Sequence, residues 1–236
     1  MKPFVLVVAL FPCLIGGATP AITPLNAVEA YAARADEQSA RLRGASMEVE
    51  VEASLPKLKK HGRLSALRHI SRLGRITYEV LNFEGDSTIK SSVIARYLAA
   101  DVQAQGNEAS SLAVTPLNYK FKYKGLLNQD GRDVYIFGVT PKKKQVGLFK
   151  GELWLDAETC LPVREAGRLV KNPSIFLRRI EFVREYDIHN GVAIPLRIQS
   201  TVDTRIAGKA ELTVRFHDVS LAASSSLLMA GAASGQ

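Results

Sequence analysis

Between residues 149 and 220, apolar and polar side chains alternate with period two, and this pattern constrains the fold more than any other feature of the chain. In 151–156, Leu153 and Leu155 alternate with Glu152, Trp154 and Asp156. In 179–187, Ile180, Phe182, Arg184 and Tyr186 alternate with Glu181, Val183, Glu185 and Asp187. Val192, Ile194, Leu196 and Ile198 share one side of 191–201, and Leu212, Val214 and Phe216 share one side of 209–218. Such alternation marks strands with one buried and one wet face. Antiparallel sheets tolerate a wet face, whereas parallel sheets rarely do. The apolar face must then be covered, by helices or by a guest molecule.

Upstream, residues 25–43 read as a helix with Leu25, Val28, Ala32, Ala35 and Leu42 near one face, Asn26 as its cap and Gly44 as its stop. Met47, Val49, Val51 and Ala53 alternate with Glu48, Glu50 and Glu52, which predicts a strand over 45–55. A lysine-rich turn follows, then strands over 62–72 (Leu64, Ala66, Arg68, Ile70) and 75–83 (Ile76, Tyr78, Val80). The period changes at Ser87. Ile89, Val93, Ile94, Tyr97, Leu98 and Val102 recur at three- and four-residue steps, predicting an amphipathic helix over 87–105, capped by Asp86 or Ser87 and stopped by Gly106. Residues 107–111 form a polar linker. Strands over 119–123 and 133–140 flank the turn Asn128-Gln129-Asp130-Gly131. The sum is roughly nine or ten strands and two helices. The expected fold class is α+β, mostly β: a long antiparallel sheet that must twist and curl, with two helices closing its concave side.

Residues 1–21 read as a secretory signal. Lys2 supplies its positive end, residues 4–15 an apolar run too short to span a bilayer, and cleavage falls after Ala18 or Ala21. Pro12 is a poor neighbour for a lipid-modified Cys13, so a soluble exported protein is expected. One domain occupies 22–221, and the Ala-, Ser- and Gly-rich tail over 222–236 is expected to be disordered. Once the signal is removed, Cys160 is left as a single thiol that cannot form an internal disulfide, in a turn beside Leu161-Pro162.

The formal net charge of +8 is concentrated at Lys57, Lys59 and Lys60, at Lys120, Lys122 and Lys124, at Lys142, Lys143 and Lys144, and at Arg178 and Arg179. Such clusters favour anionic partners, including lipid headgroups. They equally serve as solvated strand edges that deter pairing. His61, His69, His189 and His217 lack metal-ligand spacing, and no H-E-x-x-H, G-x-S-x-G or glycine-rich phosphate loop occurs. The reading is therefore a protein that is not an enzyme and has no metal or cofactor. Export and the lack of interleaved surface aromatics argue against a nucleic-acid partner.

Several motifs carry a resemblance. Phe149-Lys150-Gly151-Glu152-Leu153-Trp154-Leu155-Asp156-Ala157-Glu158-Thr159 is followed by Leu161-Pro162-Val163-Arg164, and Gly191-Val192-Ala193-Ile194-Pro195 opens a later strand. With Asn118-Tyr119, Asp130-Gly131-Arg132 and Thr140-Pro141-Lys142, these resemble the LolA-like family of exported outer-membrane lipoprotein-sorting proteins. The resemblance implies an incomplete barrel around a hydrophobic cavity for acyl chains, in a periplasmic monomer that carries lipids or acylated proteins. It also implies an alternative, an envelope interaction or lipid-sensing module without transport. Acyl binding needs only apolar wall, at about 0.8 kcal/mol per buried methylene. Candidate lining residues are Val49, Val51, Ile76, Tyr78, Val80, Ile136, Leu153, Leu155, Ile180, Phe182, Ile194, Leu212, Val214 and Phe216, under a lid bearing Ile89, Val93, Tyr97 and Leu98. Each would serve equally as plain core. Arg75 stands near the family's lid-holding arginine, but the proline that follows it there is Ile76 here.

Overall fold

In a computed structural model that describes residues 23–104, 109–129 and 131–221, ten strands form one antiparallel sheet that curves without closing. In chain order the elements are α1 (Pro24–Arg41), β1 (Ser46–Leu55), β2 (Lys60–Ile70), β3 (Ile76–Gly85), α2 (Ser87–Ile89), a π-helical turn (Lys90–Ile94), α3 (Ala95–Ala104), α4 (Ala109–Leu112), β4 (Tyr119–Gln129), β5 (Arg132–Pro141), β6 (Phe149–Asp156), β7 (Pro162–Leu169), β8 (Leu177–His189), β9 (Val192–Thr204) and β10 (Lys209–Ser220). The expected signal segment, the expected tail and the stop at Gly106 lie outside the described residues.

The spatial order is β3-β2-β1-β10-β9-β8-β7-β6-β5-β4. Every neighbouring pair is consecutive in sequence except β1 with β10, so that single join ties the two ends of the chain together. Its register explains why it forms. Val49 faces Phe216, Val51 faces Val214 and Ala53 faces Leu212, while on the other side Val49 and Val51 face Ala66 and Leu64. Rows of apolar partners on one face reinforce each other across the ladder. Fully burying each such side chain contributes about 1.5–3 kcal/mol.

Three departures from the sequence pattern have local causes. β7 carries Arg164, Glu165 and Arg168 among its eight residues and shows no clean alternation. β4 runs on to Gln129 because a bulge between Tyr123 and Gly125 shifts its parity. α4 occupies part of the expected polar linker. The cap of α1 is also one turn earlier than expected. Thr23 is the N-cap, and its N–H donates to Asn26 Oδ1 at 2.8 Å. The buried face of that helix is Ala27 and Val28, while Leu25 is exposed. Asp86 caps the second helix by accepting from the Thr88 N–H at 2.7 Å.

The concave face holds two separate cores. One unites Met47, Val49, Val51, Leu64, Val214 and neighbours of β1, β2, β3 and β10 with Ile89 and Ile94 of the second helix. The other unites Tyr119, Phe137, Phe149, Leu153, Leu155 and Phe182 with Ala27 and Val28 of α1. Between β6 and β7 the strands bend against each other so closely that side chains are excluded. A Cβ on Gly151 would lie 2.0 Å from the Ala166 carbonyl oxygen, and one on Gly167 would lie 2.6 Å from that of Lys150.

Candidate functional site

Each helix is pinned over its own half of the sheet. Arg68, buried on β2, reaches α3: its Nε and Nη2 donate to Asp101 Oδ2, both at 3.2 Å. The Tyr78 hydroxyl donates to the same oxygen at 2.7 Å. At the other end Lys60 Nζ reaches Asp86 Oδ1 at 3.3 Å and Thr88 Oγ1 at 2.8 Å. The arginine holding this helix is therefore Arg68. Arg75 stands exposed in the turn before β3, where its backbone N–H donates to Ser71 Oγ. α1 is held by hydrogen bonds to main-chain groups rather than by ion pairs. Gln38 donates to the Gly191 carbonyl and accepts from the Ala193 N–H, both at 2.9 Å, and Arg41 donates to the Asn190 carbonyl.

The middle of the concave face, where β8 and β9 run, lies between the two cores: Phe182 belongs to the aromatic one, and Ile198 and Val202 pack against the aliphatic one. Register places Ile180, Phe182 and Arg184 of β8 opposite Val202, Ser200 and Ile198 of β9. Ile180, Ile198 and Val202 are half-buried. Arg184, in phase with Ile180 and Phe182, keeps 45% of its side-chain surface accessible. This part of the inner face is therefore only partly covered. Arg184 Nη1 donates to Glu165 Oε2 at 3.3 Å, and its guanidinium carbon lies 4.7 Å from the centre of the Phe182 ring. Tyr186 of β8 hydrogen-bonds with this pair, and the pair's charges also reach Tyr31 of α1 and Tyr97 of α3.

Burial, reinforced by Glu165, pushes the Tyr31 hydroxyl well above the ordinary tyrosine range. Burial does the same to Tyr97 and Tyr78, with Asp101 as the second cause, and to Tyr186, with Glu165. For Arg184, burial pulls down, but Tyr186, Glu165 and Tyr97 more than offset it and the guanidinium is held charged. This stretch of the inner face is thus an apolar strip with the Arg184–Glu165 ion pair at its centre.

The candidate residues sort by face. Val49, Val51, Ile76, Leu153, Leu155, Leu212, Val214 and Phe216 are buried in the two cores. Ile89 is also fully buried, with Val93, Tyr97 and Leu98 packed around it. Ile180 and Phe182 face the strip. Val80 lies on the edge strand, half exposed. Two candidates stand on the other side of the sheet. Ile136 pairs with Trp154, while Phe137 pairs with the inward Leu153. Ile194 pairs with Asp187, whereas Ile198 pairs with the inward Arg184, because a bulge between Pro195 and Arg197 breaks the parity of β9. Sequence reading passed over Glu165 and Tyr31, and marked Arg68 only as lying in phase with Leu64, Ala66 and Ile70. Arg184 and Tyr186 were signalled only by lying in phase with Ile180 and Phe182.

Two depressions open to solvent elsewhere. One, of about 500 Å³, lies where β9 and β10 diverge, between Ile194, Leu196, Phe216 and His217. The other, of about 1050 Å³, is a shallow trough that includes Lys122, Lys150, Arg168, Gln199 and Thr213. Among the described residues no three His, Cys, Asp or Glu side chains gather into a metal-binding group, and no helix is long and apolar enough to cross a membrane.

Comparison with known proteins gives structural likenesses alone. No protein-family model matches the chain, and no curated protein matches it. Among solved structures the chain is similar to a LolA superfamily protein from Nitrosomonas europaea, with 14% identity over 87% of this chain and 96% of that one, at a TM-score of 0.40. It is similar to a DUF1329 family protein from Desulfovibrio piger, with 13% identity over 84% and 93%, at 0.43. It is also similar to a putative outer membrane lipoprotein-sorting protein domain from Vibrio parahaemolyticus, with 13% identity over 84% and 94%, at 0.40.

Proposed function

We propose that this chain is a periplasmic binder of lipids or acylated proteins, a monomer that holds an acyl chain in the strip between α1 and α3 and catalyses nothing. One observation carries the reading: the ten-stranded sheet curves without closing and leaves Ile180, Arg184, Ile198 and Val202 of its inner face only partly covered. A side chain that only filled the core would be sealed. The flanking surface is Ile180, Phe182, Ile198 and Val202, walled by Tyr31 and Tyr97, and it can shelter a hydrocarbon tail from water. At about 0.8 kcal/mol per methylene, ten sheltered methylenes supply on the order of 8 kcal/mol before the cost of ordering the chain.

Native export, purification and solvent extraction followed by mass spectrometry test this. Lipid should leave the protein in near-stoichiometric amount. Ile198→Asp and Val202→Asp should abolish it and lower the affinity for a fluorescent fatty acid by about tenfold or more. A protein that extracts clean and binds no amphiphile is not a lipid binder.

A further inference from the structure

The β1–β2, β7–β8 and β9–β10 turns adjoin at one end of the sheet. Leu177 pairs with Thr204 and Ser54 with Glu211, so the turns over 56–59, 170–176 and 205–208 leave the ladder on the same side. Contacts tie them together. The Arg205 backbone N–H donates to the Phe176 carbonyl at 2.9 Å, and its Nε donates to the Ile175 carbonyl at 2.7 Å. Lys57 lies over the β9–β10 turn, where a Cβ on Gly208 would sit 3.1 Å from its Cδ. Two of the turns are also braced internally. Asn172 Nδ2 donates to the Leu177 carbonyl at 2.9 Å, and Thr204 Oγ1 donates to the Gly208 carbonyl at 2.7 Å.

Leu58, Ile175, Phe176 and Ile206 stand on these turns with 47%, 78%, 56% and 78% of their surface exposed. A lone exposed aliphatic side chain is ordinary, but four on adjoining turns make a patch. Segments 56–59, 171–178 and 205–209 also hold Lys57, Lys59, Lys171, Arg178, Arg205 and Lys209, and no Asp or Glu. All six cations are exposed, and of these only Lys209 has an ion-pair partner among the described residues, Glu211 at 3.3 Å.

We infer that this end of the sheet docks on an anionic lipid surface: the four apolar side chains enter the boundary between headgroups and acyl chains, and the cations around them meet the phosphates. Burial of apolar groups and attraction to anionic lipid add in such a contact. A protein partner fits worse, because the cores of protein interfaces are depleted of charge. Here the cations are interleaved with the apolar tips: Lys57 and Lys59 flank Leu58, and Arg205 precedes Ile206. The Ile180–Val202 pair of the apolar strip is the next rung after Arg179–Asp203, so docking brings the end of that strip to the bilayer. The docking itself does not depend on the acyl-binding reading.

Flotation of the exported protein with vesicles of phosphatidylglycerol and phosphatidylcholine in equal parts tests this. The protein should float with these vesicles, stay behind with pure phosphatidylcholine, and be released as salt rises. Ile175→Ser with Ile206→Ser alters exposed surface alone and should lower vesicle affinity about tenfold or more. Lys57→Gln with Arg178→Gln should lower it about fivefold for each charge removed. Arg72→Gln with Arg75→Gln takes the same charge from the β2–β3 turn at the opposite end and should change it less than about twofold. Phe176→Trp should shift its emission to the blue on the anionic vesicles. No flotation with anionic vesicles, an equal loss from the Arg72 and Arg75 variant, or no blue shift from Phe176→Trp overturns the inference. So does burial of this end against an acidic protein by a chain with no affinity for vesicles. A protein that floats yet extracts free of lipid keeps this inference and loses the acyl-binding reading.

Discussion

The two halves of the sheet cover their inner faces by different means. The half built from β1, β2, β3 and β10 has an aliphatic core, and its helix is pinned by charge: Arg68 to Asp101 at one end, Lys60 to Asp86 at the other. The half around β4 to β7 has an aromatic core, with the Phe149 and Phe182 rings edge-to-face at 4.9 Å, and its helix is pinned by an amide and by backbone carbonyls. Aromatic faces bury much area in few residues and lock geometry. A charged tether is switchable, since each ion holds only while its partner is present. The contrast predicts that loss of a single charge loosens the helix carrying Tyr97 and leaves α1 in place.

The largest expected effect tests the aromatic half. Phe149→Ala should cost about 3–5 kcal/mol in unfolding free energy by urea denaturation. A loss under about 1 kcal/mol would show that this half is no rigid wall. Next is the tether. Asp101→Ala leaves buried Arg68 without its anion and should cost about 3 kcal/mol. Amide exchange should then accelerate over 87–104 and stay unchanged over α1. Uniform acceleration in both helices would erase the distinction drawn between them. Combining Arg68→Met with Asp101→Leu should recover most of the loss. Gln38→Ala, which strands the Ala193 N–H, should cost about 1–2 kcal/mol and loosen α1 alone.

The smallest effects are those of pH. Glu50 is held below the usual carboxylate range, first by its hydrogen bond to Arg63, and Glu152 first by its hydrogen bond to Lys124. A lowered folded value means stability that is present above about pH 4.3 and is lost as pH falls through the folded value. Glu50→Gln and Glu152→Gln should each flatten the acid limb of a pH–Tm curve slightly, one in each half. At the alkaline end the sign reverses. Tyr31, Tyr78, Tyr97 and Tyr186 are raised, so their contribution is complete below about pH 10 and is lost as pH rises beyond it. Tyrosinate absorbance from these four should appear together with unfolding rather than before it.

The strand faces of β1, β6 and β10 were legible because nothing interrupts their alternation. Ile194 was assigned to the wrong face because a bulge moves parity by one residue and leaves no mark in the sequence. Ile136 was misplaced because its neighbour Phe137 is equally apolar, so either could face inward. The helix tether joins residues 33 apart, and charge spacing alone could not tell Arg68 from Arg75. Arg184 was visible as a charge in phase with apolar neighbours. Its partner Glu165 sits in β7, the strand the alternation did not disclose.

The tight bend at Gly151 and Gly167 bears on how this sequence can drift. Neither residue brings any greasy surface to the interior, and a scan ranking positions by hydrophobic contribution would pass over both. Yet even alanine there collides with main chain that cannot retreat. The close approach of β6 and β7 is therefore vested in two positions that tolerate no replacement, while the aliphatic face of the sheet is free to exchange one side chain for another of similar bulk.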